Sequence, residues 1–194
     1  MTGASPLDVV IRVATMLDEL GIDYVLGGSL AGSFFGEPRA TADVDVAIRV
    51  DHDAGERQLG RAETDFYVPT ESARVAIRNH HSFNLIDTNI SFKVDLFVLG
   101  DTLLDRRQLK RRLLVPVPGI SPGLWVTSPE DQVLRKLDWY RAGNQSSDQQ
   151  WRDISGILRV SGDALDLHYL QSTAEALDLD QLLHRALAGM TPED

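Results

Sequence analysis

The sequence predicts an α+β protein in which a short mixed β-sheet is flanked by helices and followed by a small C-terminal helical lobe. Two observations lead to this class. Short apolar runs typical of strands are spread between residues 22 and 126, with helical patterns between them. After Ser128 the apolar residues recur only at helical spacing. We therefore expect a first lobe of residues 1–118, which carries the sheet, and a helical lobe of residues 119–194.

The composition is that of a globular chain. With 194 residues, of which 43% are hydrophobic, the chain is long enough to bury a core. It contains no cysteine, which excludes disulfides, zinc–thiolate sites and thiol chemistry. The net charge of −10 disfavours broad binding to nucleic acid but leaves a local basic patch open. Because the N-terminus lacks a signal-peptide pattern and no apolar run could span a bilayer, we expect a cytoplasmic protein without a membrane partner.

The first elements are a helix, a strand and a glycine turn. Apolar residues at helical spacing predict a helix over residues 5–20, with Ser5 as its cap and Pro6 in its first turn. Residues 22–26 form the first predicted strand, and residues 30–35 a short helix.

Between that strand and the short helix lies the sequence Gly27-Gly28-Ser29. Paired glycines let the backbone turn sharply and approach a ligand, and a helix that starts at Ser29 favours an anionic group. Taken alone, the same three residues are also typical of an ordinary turn and helix cap. Arg39, in the loop after the short helix, is placed to meet a phosphate. The alternative interpretation is that Arg39 is simply an exposed arginine in a loop.

The segment Asp43-Val44-Asp45-Val46 alternates acidic and apolar residues. In a strand this alternation puts both carboxylates on one face and both valines on the other. Carboxylates so close together repel each other unless a cation lies between them, and Mg²⁺ shared with substrate phosphates meets that need. The alternative interpretation is an edge strand exposed to solvent, but the apolar run over residues 44–50 argues against this alternative.

The middle of the chain predicts helices over residues 51–60 and 70–79 and a hairpin of residues 83–86 and 90–99. His80 and His81 lie between the second helix and the hairpin, and we interpret them as turn residues rather than ligands. The second hairpin strand carries Asp95 in the middle of an apolar run. An unpaired buried carboxylate is costly, so Asp95 needs a partner. The cation inferred at Asp43 and Asp45 is the simplest partner, and Lys93 shares the same face.

These residues resemble the nucleotidyltransferase fold of the polymerase-β-like superfamily. The resemblance rests on Gly28 and Ser29 before a short helix, on Asp43 and Asp45 in one strand, and on Asp95 in another. It implies transfer of a nucleoside monophosphate from a nucleoside triphosphate to a hydroxyl, with two Mg²⁺ ions as cofactors.

The resemblance also assigns a role to each of these residues. Asp43 and Asp45 would hold both ions, and Asp95 would hold the ion that activates the acceptor and act as or support the base. Gly28 and Ser29 would cradle the triphosphate.

The C-terminal half resembles one branch of that superfamily, the AbiEii or MenT-like nucleotidyltransferases, many of which are toxins of toxin–antitoxin pairs. The matching residues are Ser128-Pro129-Glu130-Asp131, Lys136 and Arg152-Asp153. The resemblance implies that Lys136 contacts the nucleotide phosphates and that Asp153 orients Lys136. It also implies a tRNA acceptor and an antitoxin partner. The alternative is a snorkelling surface lysine together with a surface Arg–Asp pair.

A dense basic cluster covers residues 106–112, at the end of a predicted helix. It is either a solvated helix face or a contact surface for an acceptor RNA or an acidic protein.

Two functions from different classes follow from the whole sequence. The first is an active nucleotidyltransferase that acts on an RNA end, a protein hydroxyl or a small molecule. The second is a non-catalytic nucleotide- or protein-binding module on the same fold. The three carboxylates favour the first function, because a structural role would not require three acids without compensation.

Overall fold

The computed structural model describes residues 5–35 and 43–189. The helices in these residues are α1 Pro6–Glu19, α2 Gly28–Phe35, α3 His52–Ala62, α4 Thr70–Asn79, α5 Leu103–Lys110, α6 Pro129–Ala142, α7 Asp148–Ser161, α8 Leu167–Ala176 and α9 Asp180–Ala188. The strands are β1 Asp23–Leu26, β2 Asp43–Arg49, β3 Ser82–Asp87, β4 Phe92–Val98, β5 Leu113–Val117 and β6 Ile120–Val126. The predicted α+β class is confirmed.

The six strands form one mixed sheet in the order β3-β4-β2-β1-β6-β5. Strand β2 runs parallel to β4, and β1 runs parallel to β6, while the other neighbours are antiparallel. The predicted hairpin is the antiparallel pair β3 and β4. The sheet therefore places β2, which carries Asp43 and Asp45, directly beside β4, which carries Asp95.

Local signals determine where the first helix begins. Ser5 caps α1 by accepting a hydrogen bond from the backbone N–H of Asp8, and the Asp8 side chain accepts one from the backbone N–H of Ser5. Pro6 occupies the first turn, where its missing N–H costs nothing. The buried residues of α1, among them Val10 and Leu17, pack into the main core.

The two faces of the sheet differ in chemistry. Val44, Val46 and Ile48 of β2 point into the main hydrophobic core, which α1, α3 and α4 also line. The alternate residues of β2 point to the opposite face, where Ala47 joins a small cluster with Val25 and Leu109. Asp43 and Asp45 lie on this second face, toward the side of α5 and α6.

The apolar pattern of the sequence predicts a short strand over residues 124–126, but strand β6 is longer because it begins at Ile120. Pro122 and Gly123 predict a break, but both lie inside the strand. The register between β5 and β6 shifts between Val115 and Val117, near these residues. A bulged edge pair of this kind tolerates a proline that cannot donate a hydrogen bond. The predicted boundary after residue 118 falls in the turn that joins the two strands.

The C-terminal helices share a second hydrophobic core. Residues of α6 to α9, including Leu134, Ile154, Leu170 and Leu183, are buried in it. Leu104 of α5 belongs to the same core. The division of the chain into two lobes stays a prediction. None of the helices in the described part of the chain combines the length and apolar character needed to cross a membrane.

Candidate active site

The register of β2 and β4 defines the candidate site. Asp45 lies directly opposite Asp95, and Asp43 lies opposite Lys93. The side chains of Asp43, Asp45 and Asp95 are half-buried and project on one face of the sheet, away from the main core. The structure thus places the three predicted carboxylates on neighbouring strands, while their catalytic roles stay predictions.

The glycine turn closes against Asp45. Gly28 has a φ of +58°, and a Cβ atom at this position would lie 1.7 Å from Oδ2 of Asp45. The backbone N–H of Gly27 donates a hydrogen bond to the carbonyl of Asp45 at 2.9 Å. Glycine at position 28 is therefore required both by the left-handed backbone and by the close carboxylate.

The carboxylates repel each other electrostatically. Burial, together with the nearby negative charges of Asp43 and Asp95, raises the pKa of Asp45 to about 6. Lys136 and Lys93 oppose this effect from the two sides of the site. Asp45 is thus the carboxylate of the site that most needs a compensating cation.

Lys93 supplies part of that positive charge. Its Nζ lies 2.7 Å from Oδ2 of Asp95 and 3.8 Å from Oδ2 of Asp43. The hydrogen bond to Asp95 raises the pKa of Lys93. The sequence placed Lys93 on the face of Asp95, and the structure shows that its ammonium group lies between two of the three acids.

The donor chemistry of the site fits a divalent cation, because three carboxylates offer the hard oxygen ligands that Mg²⁺ prefers. The raised pKa of Asp45 points the same way. Across residues 5–35 and 43–189, however, no three acidic or histidine side chains are grouped closely enough to hold an ion. An ion at Asp43, Asp45 and Asp95 would therefore need these carboxylates to come closer together, and it would compete with Lys93 for Asp95.

Lys136 of α6, which is buried, forms an ion pair with the partly exposed Asp153 of α7. Nζ of Lys136 lies 2.8 Å from Oδ2 of Asp153, and the lysine is only 6% exposed. The alternative of a snorkelling surface lysine is therefore wrong. The ion pair in the structure joins Asp153 to Lys136, whereas that alternative assumed a surface pair between an arginine and an aspartate.

Two cavities meet at Asp45. The larger, of about 510 Å³, extends along β2 and β4 to His80, His81 and Gly100. The smaller, of about 280 Å³, extends from Ser29 to α7, where Gln149, Gln150 and Asp153 line it. Both cavities are also lined by Gly28, Lys136 and Trp139.

Several of the residues that line these cavities were not identified from the sequence. Gln132 donates a hydrogen bond from Nε2 to the carbonyl of Gly28 at 2.6 Å, which ties α6 to the glycine turn. Its position one helical turn before Lys136 was a usable signal, because residues i and i+4 share a helix face. Trp139 gave no signal beyond an aromatic residue in a helix.

His80 and His81 combine two properties. His80 ends α4 in the left-handed conformation with φ of 53°, which confirms the interpretation of His80 as a turn residue. Both histidines also line the larger cavity.

Arginines of the basic cluster of residues 106–112 contact other parts of the same chain. Arg107 donates a hydrogen bond to Thr173. Arg111 stacks over the ring of Tyr169 at 3.7 Å and contacts Glu130 at 3.3 Å. Arg112 bonds Asp23 at 2.7 Å. The structure describes all the arginines of this cluster, and none of them lines the two cavities at Asp45.

Arg39 lies outside the described residues, so its predicted place at the lip of the site has no structural counterpart.

Comparison with solved structures identifies the architecture. An antigenic nucleotidyltransferase-like protein of Paracoccidioides brasiliensis matches with a TM-score of 0.55 and 23% identity, over 93% of this chain and 90% of that chain. The chain has the nucleotidyltransferase fold. A candidate nucleotidyltransferase of Thermotoga maritima matches with a TM-score of 0.52 and 19% identity, over 76% of this chain and 92% of that chain.

At the level of sequence, no protein-family model matches the chain, and a search of curated proteins gives no match. Nothing in the structural likenesses points to the AbiEii or MenT-like branch, so that assignment stays a prediction.

Proposed function

We propose that this protein is a metal-dependent nucleotidyltransferase that moves a nucleoside monophosphate from a nucleoside triphosphate to an acceptor hydroxyl. The observation that carries the proposal is the pairing of Asp45 with Asp95 in parallel register, beside a glycine turn that no side chain could occupy. The nucleotidyltransferase fold supports the same function.

The triphosphate is assigned to the smaller cavity. Ser29 and the N-terminus of α2 lie at one side of this cavity, and Lys136 lies at the other. The backbone amides of a helix start and a buried ammonium group both favour phosphate oxygens. Asp153 holds Lys136 in place through the 2.8 Å ion pair.

The transfer step needs one base and one displaced group. The acceptor hydroxyl oxygen attacks the α-phosphorus, a new P–O bond forms, and the bond to the pyrophosphate oxygen breaks. We assign to Asp95 the role of accepting the hydroxyl proton, since it lies opposite Asp45, which lines both cavities. Mg²⁺, held by Asp43, Asp45 and Asp95, would neutralise charge on the phosphates and lower the pKa of the acceptor hydroxyl.

Transfer from each radiolabelled nucleoside triphosphate in the presence of MgCl₂ tests the proposal, with triphosphate binding measured separately by calorimetry. We expect Asp45→Asn and Asp95→Asn each to lower transfer by at least about a hundredfold. Asp163→Asn, at an exposed position, is the matched control and should retain transfer. Transfer that survives both site substitutions, or a protein that binds no triphosphate, would overturn the proposal.

One observation favours the second function, a non-catalytic binding module. Lys93 forms an ion pair with Asp95 and approaches Asp43, so the chain itself supplies part of the compensating positive charge. Triphosphate binding that does not depend on Mg²⁺, together with no transfer, would support this alternative.

A further inference from the structure

The larger cavity has no assigned occupant once the triphosphate lies in the smaller one. It begins at Asp45 and Gly28, where the smaller cavity also ends, and extends away from α7 toward His80 and Ser82. A molecule in this cavity would therefore present a group to Asp45, which Asp95 faces from the neighbouring strand, from the side opposite the triphosphate. This is the position that an acceptor needs for attack on the α-phosphorus.

The cavity has the size of a small-molecule site. Its volume of about 510 Å³ lies within the range of roughly 300–1,000 Å³ that is typical of such sites. Phe97 and Trp139 form an aromatic wall, with ring centroids 5.8 Å apart and planes tilted by 36°. Ala47 and Leu99 extend this apolar side. A ligand with a flat or apolar face fits such a wall.

The charged groups that line the cavity beyond Asp45 are already paired with one another. Nη2 of Arg135 lies 2.6 Å from Oδ1 of Asp105, and the same guanidinium bonds the side-chain oxygen of Gln108 at 2.9 Å. Lys136 is paired with Asp153. Under the proposed function Asp45 holds the metal ion and Lys136 the triphosphate, so a charged ligand would find no free counter-charge in the lining, which therefore favours an uncharged ligand.

Neutral hydrogen-bonding groups complete the lining. Nδ1 of His80 lies 3.0 Å from the carbonyl oxygen of Leu99. Because a carbonyl oxygen only accepts, Nδ1 is the donor in this contact, which leaves Nε2 for a hydrogen bond to a ligand. Ser82, Thr102 and Gln108 also line the cavity. These groups suit the hydroxyls of a ligand.

We propose that the larger cavity binds the acceptor, and that the acceptor is a small uncharged molecule with several hydroxyls and a flat apolar face. This inference rests on the proposed transferase function and names its substrate class. An RNA acceptor is disfavoured because Arg107, Arg111 and Arg112 are engaged within the protein and do not line the cavity.

The experiment compares a blocked cavity with a matched control. Ser82 is exposed and lines the cavity, so Ser82→Trp fills its far end without touching the carboxylates. His81→Trp is a second blocking variant at an exposed lining position. Thr88→Trp places the same side chain at the other end of the β3–β4 hairpin, outside the cavity. Thermal unfolding confirms that each variant is folded.

Transfer from labelled triphosphate is measured to glucose, myo-inositol and uridine, to the small-molecule fraction of a cell extract, and to total RNA. Phosphodiesterase digestion of labelled products releases the acceptor, whose charge follows from ion-exchange retention and mass spectrometry. We expect label on uncharged compounds, and we expect Ser82→Trp and His81→Trp to lower this transfer by about tenfold or more. Triphosphate affinity should stay within about twofold for all variants, and Thr88→Trp should transfer like the wild type.

Four results overturn the inference. Label on RNA or on charged compounds alone contradicts the acceptor class. Equal transfer by the blocking variants and by Thr88→Trp contradicts the location. Triphosphate binding without transfer to any uncharged compound contradicts the inference but leaves nucleotide binding intact. Absence of triphosphate binding in the wild type overturns the proposed function and this inference with it.

Discussion

A Cβ atom on Gly28 would lie 1.7 Å from Oδ2 of Asp45, which is far inside any allowed contact. The glycine turn and the carboxylate strand are thus built against each other, and the fold brings them together across the β1–β2 pair. The consequence is that changes at position 28 act on the carboxylate as well as on the backbone.

Gly28→Ala should therefore both destabilise the protein and displace Asp45. The positive φ and the clash together should lower the free energy of unfolding by about 1–3 kcal/mol. Transfer activity should fall with it, and urea denaturation and labelled-triphosphate assays measure the two effects. Gly32→Ala is the matched control, since nothing lies within 4 Å of a Cβ there and alanine favours the helix. Equal stability of the two variants would contradict the prediction.

Lys93→Met should tighten binding of a divalent cation. The ammonium group of Lys93 lies 2.7 Å from Asp95, where it competes with an ion for the carboxylates. Because the lysine is partly exposed, we expect its removal to increase affinity for Mn²⁺ by about fivefold, the equivalent of about 1 kcal/mol. Electron paramagnetic resonance of bound Mn²⁺ measures this. Lys110→Met removes the same charge from an exposed site outside the cavities and should leave the affinity unchanged. Weaker Mn²⁺ binding by Lys93→Met would contradict the prediction that Lys93 competes with the ion for the carboxylates.

Substitutions in the Lys136–Asp153 ion pair distinguish a role in phosphate binding from a role in structural support. Lys136→Met removes the cation that we assign to the triphosphate, and we expect its affinity to fall by about tenfold. Asp153→Asn keeps the cation and should retain binding within about threefold. Asp153→Asn should lower the free energy of unfolding by about 2 kcal/mol, because it leaves the buried ammonium group unpaired, and Lys136→Met should lower it less, because Asp153 is partly exposed. Calorimetry and urea denaturation distinguish the effects, and an equal loss of affinity in both variants would mean that the pair only supports the fold.

Arg12 and Asp87 should make stability depend on pH. Burial alone would raise the pKa of Asp87, but hydrogen bonds from Arg12 and from the N–H groups of Asn89 and Ile90 outweigh it and lower the pKa. The carboxylate therefore stabilises the fold fully above the ordinary carboxyl pKa of about 3.9. This contribution is lost as the pH falls through the lowered pKa in the folded state.

We expect Asp87→Asn to lower the free energy of unfolding by roughly 2 kcal/mol near neutral pH. The difference from the wild type should shrink toward zero below the lowered pKa. Urea denaturation at pH 7, 4 and 2.5 measures it, with Asp163→Asn as the exposed control. A difference that stays constant over this range would show that the ionised carboxylate contributes nothing.

Arg111 should act in stability rather than in RNA binding. It stacks on Tyr169 and lies beside Glu130 and Asp131, both of which are buried. Arg111→Met should lower the free energy of unfolding by about 2 kcal/mol, because two buried acids lose their cation. Lys110→Met, its exposed neighbour, should change stability by less than about 0.5 kcal/mol. Gel-shift assays should show equal RNA affinity for both variants. A loss of RNA binding confined to Arg111→Met would instead support a role for Arg111 in an RNA contact surface.

Much of the fold was predictable because its signals are local. Ser5 and Pro6 mark the start of α1, Ser128 and Pro129 mark the start of α6, and the alternation around Asp43 and Asp45 defines the exposed face of β2. Each of these signals acts over one turn or one pleat. Residues that are neighbours in sequence are sufficient to specify them.

Local patterns were therefore enough to predict the α+β class, the glycine turn and the identity of the three carboxylates. The three-dimensional arrangement was needed to show that Asp45 lies opposite Asp95, that Lys93 lies between two acids, and that Lys136 is buried against Asp153. The basic cluster shows the same limit, because its arginines find their partners as far away as Asp23 and Thr173. Strand register and the burial of a charge depend on segments distant in the chain, and no local pattern carries that information.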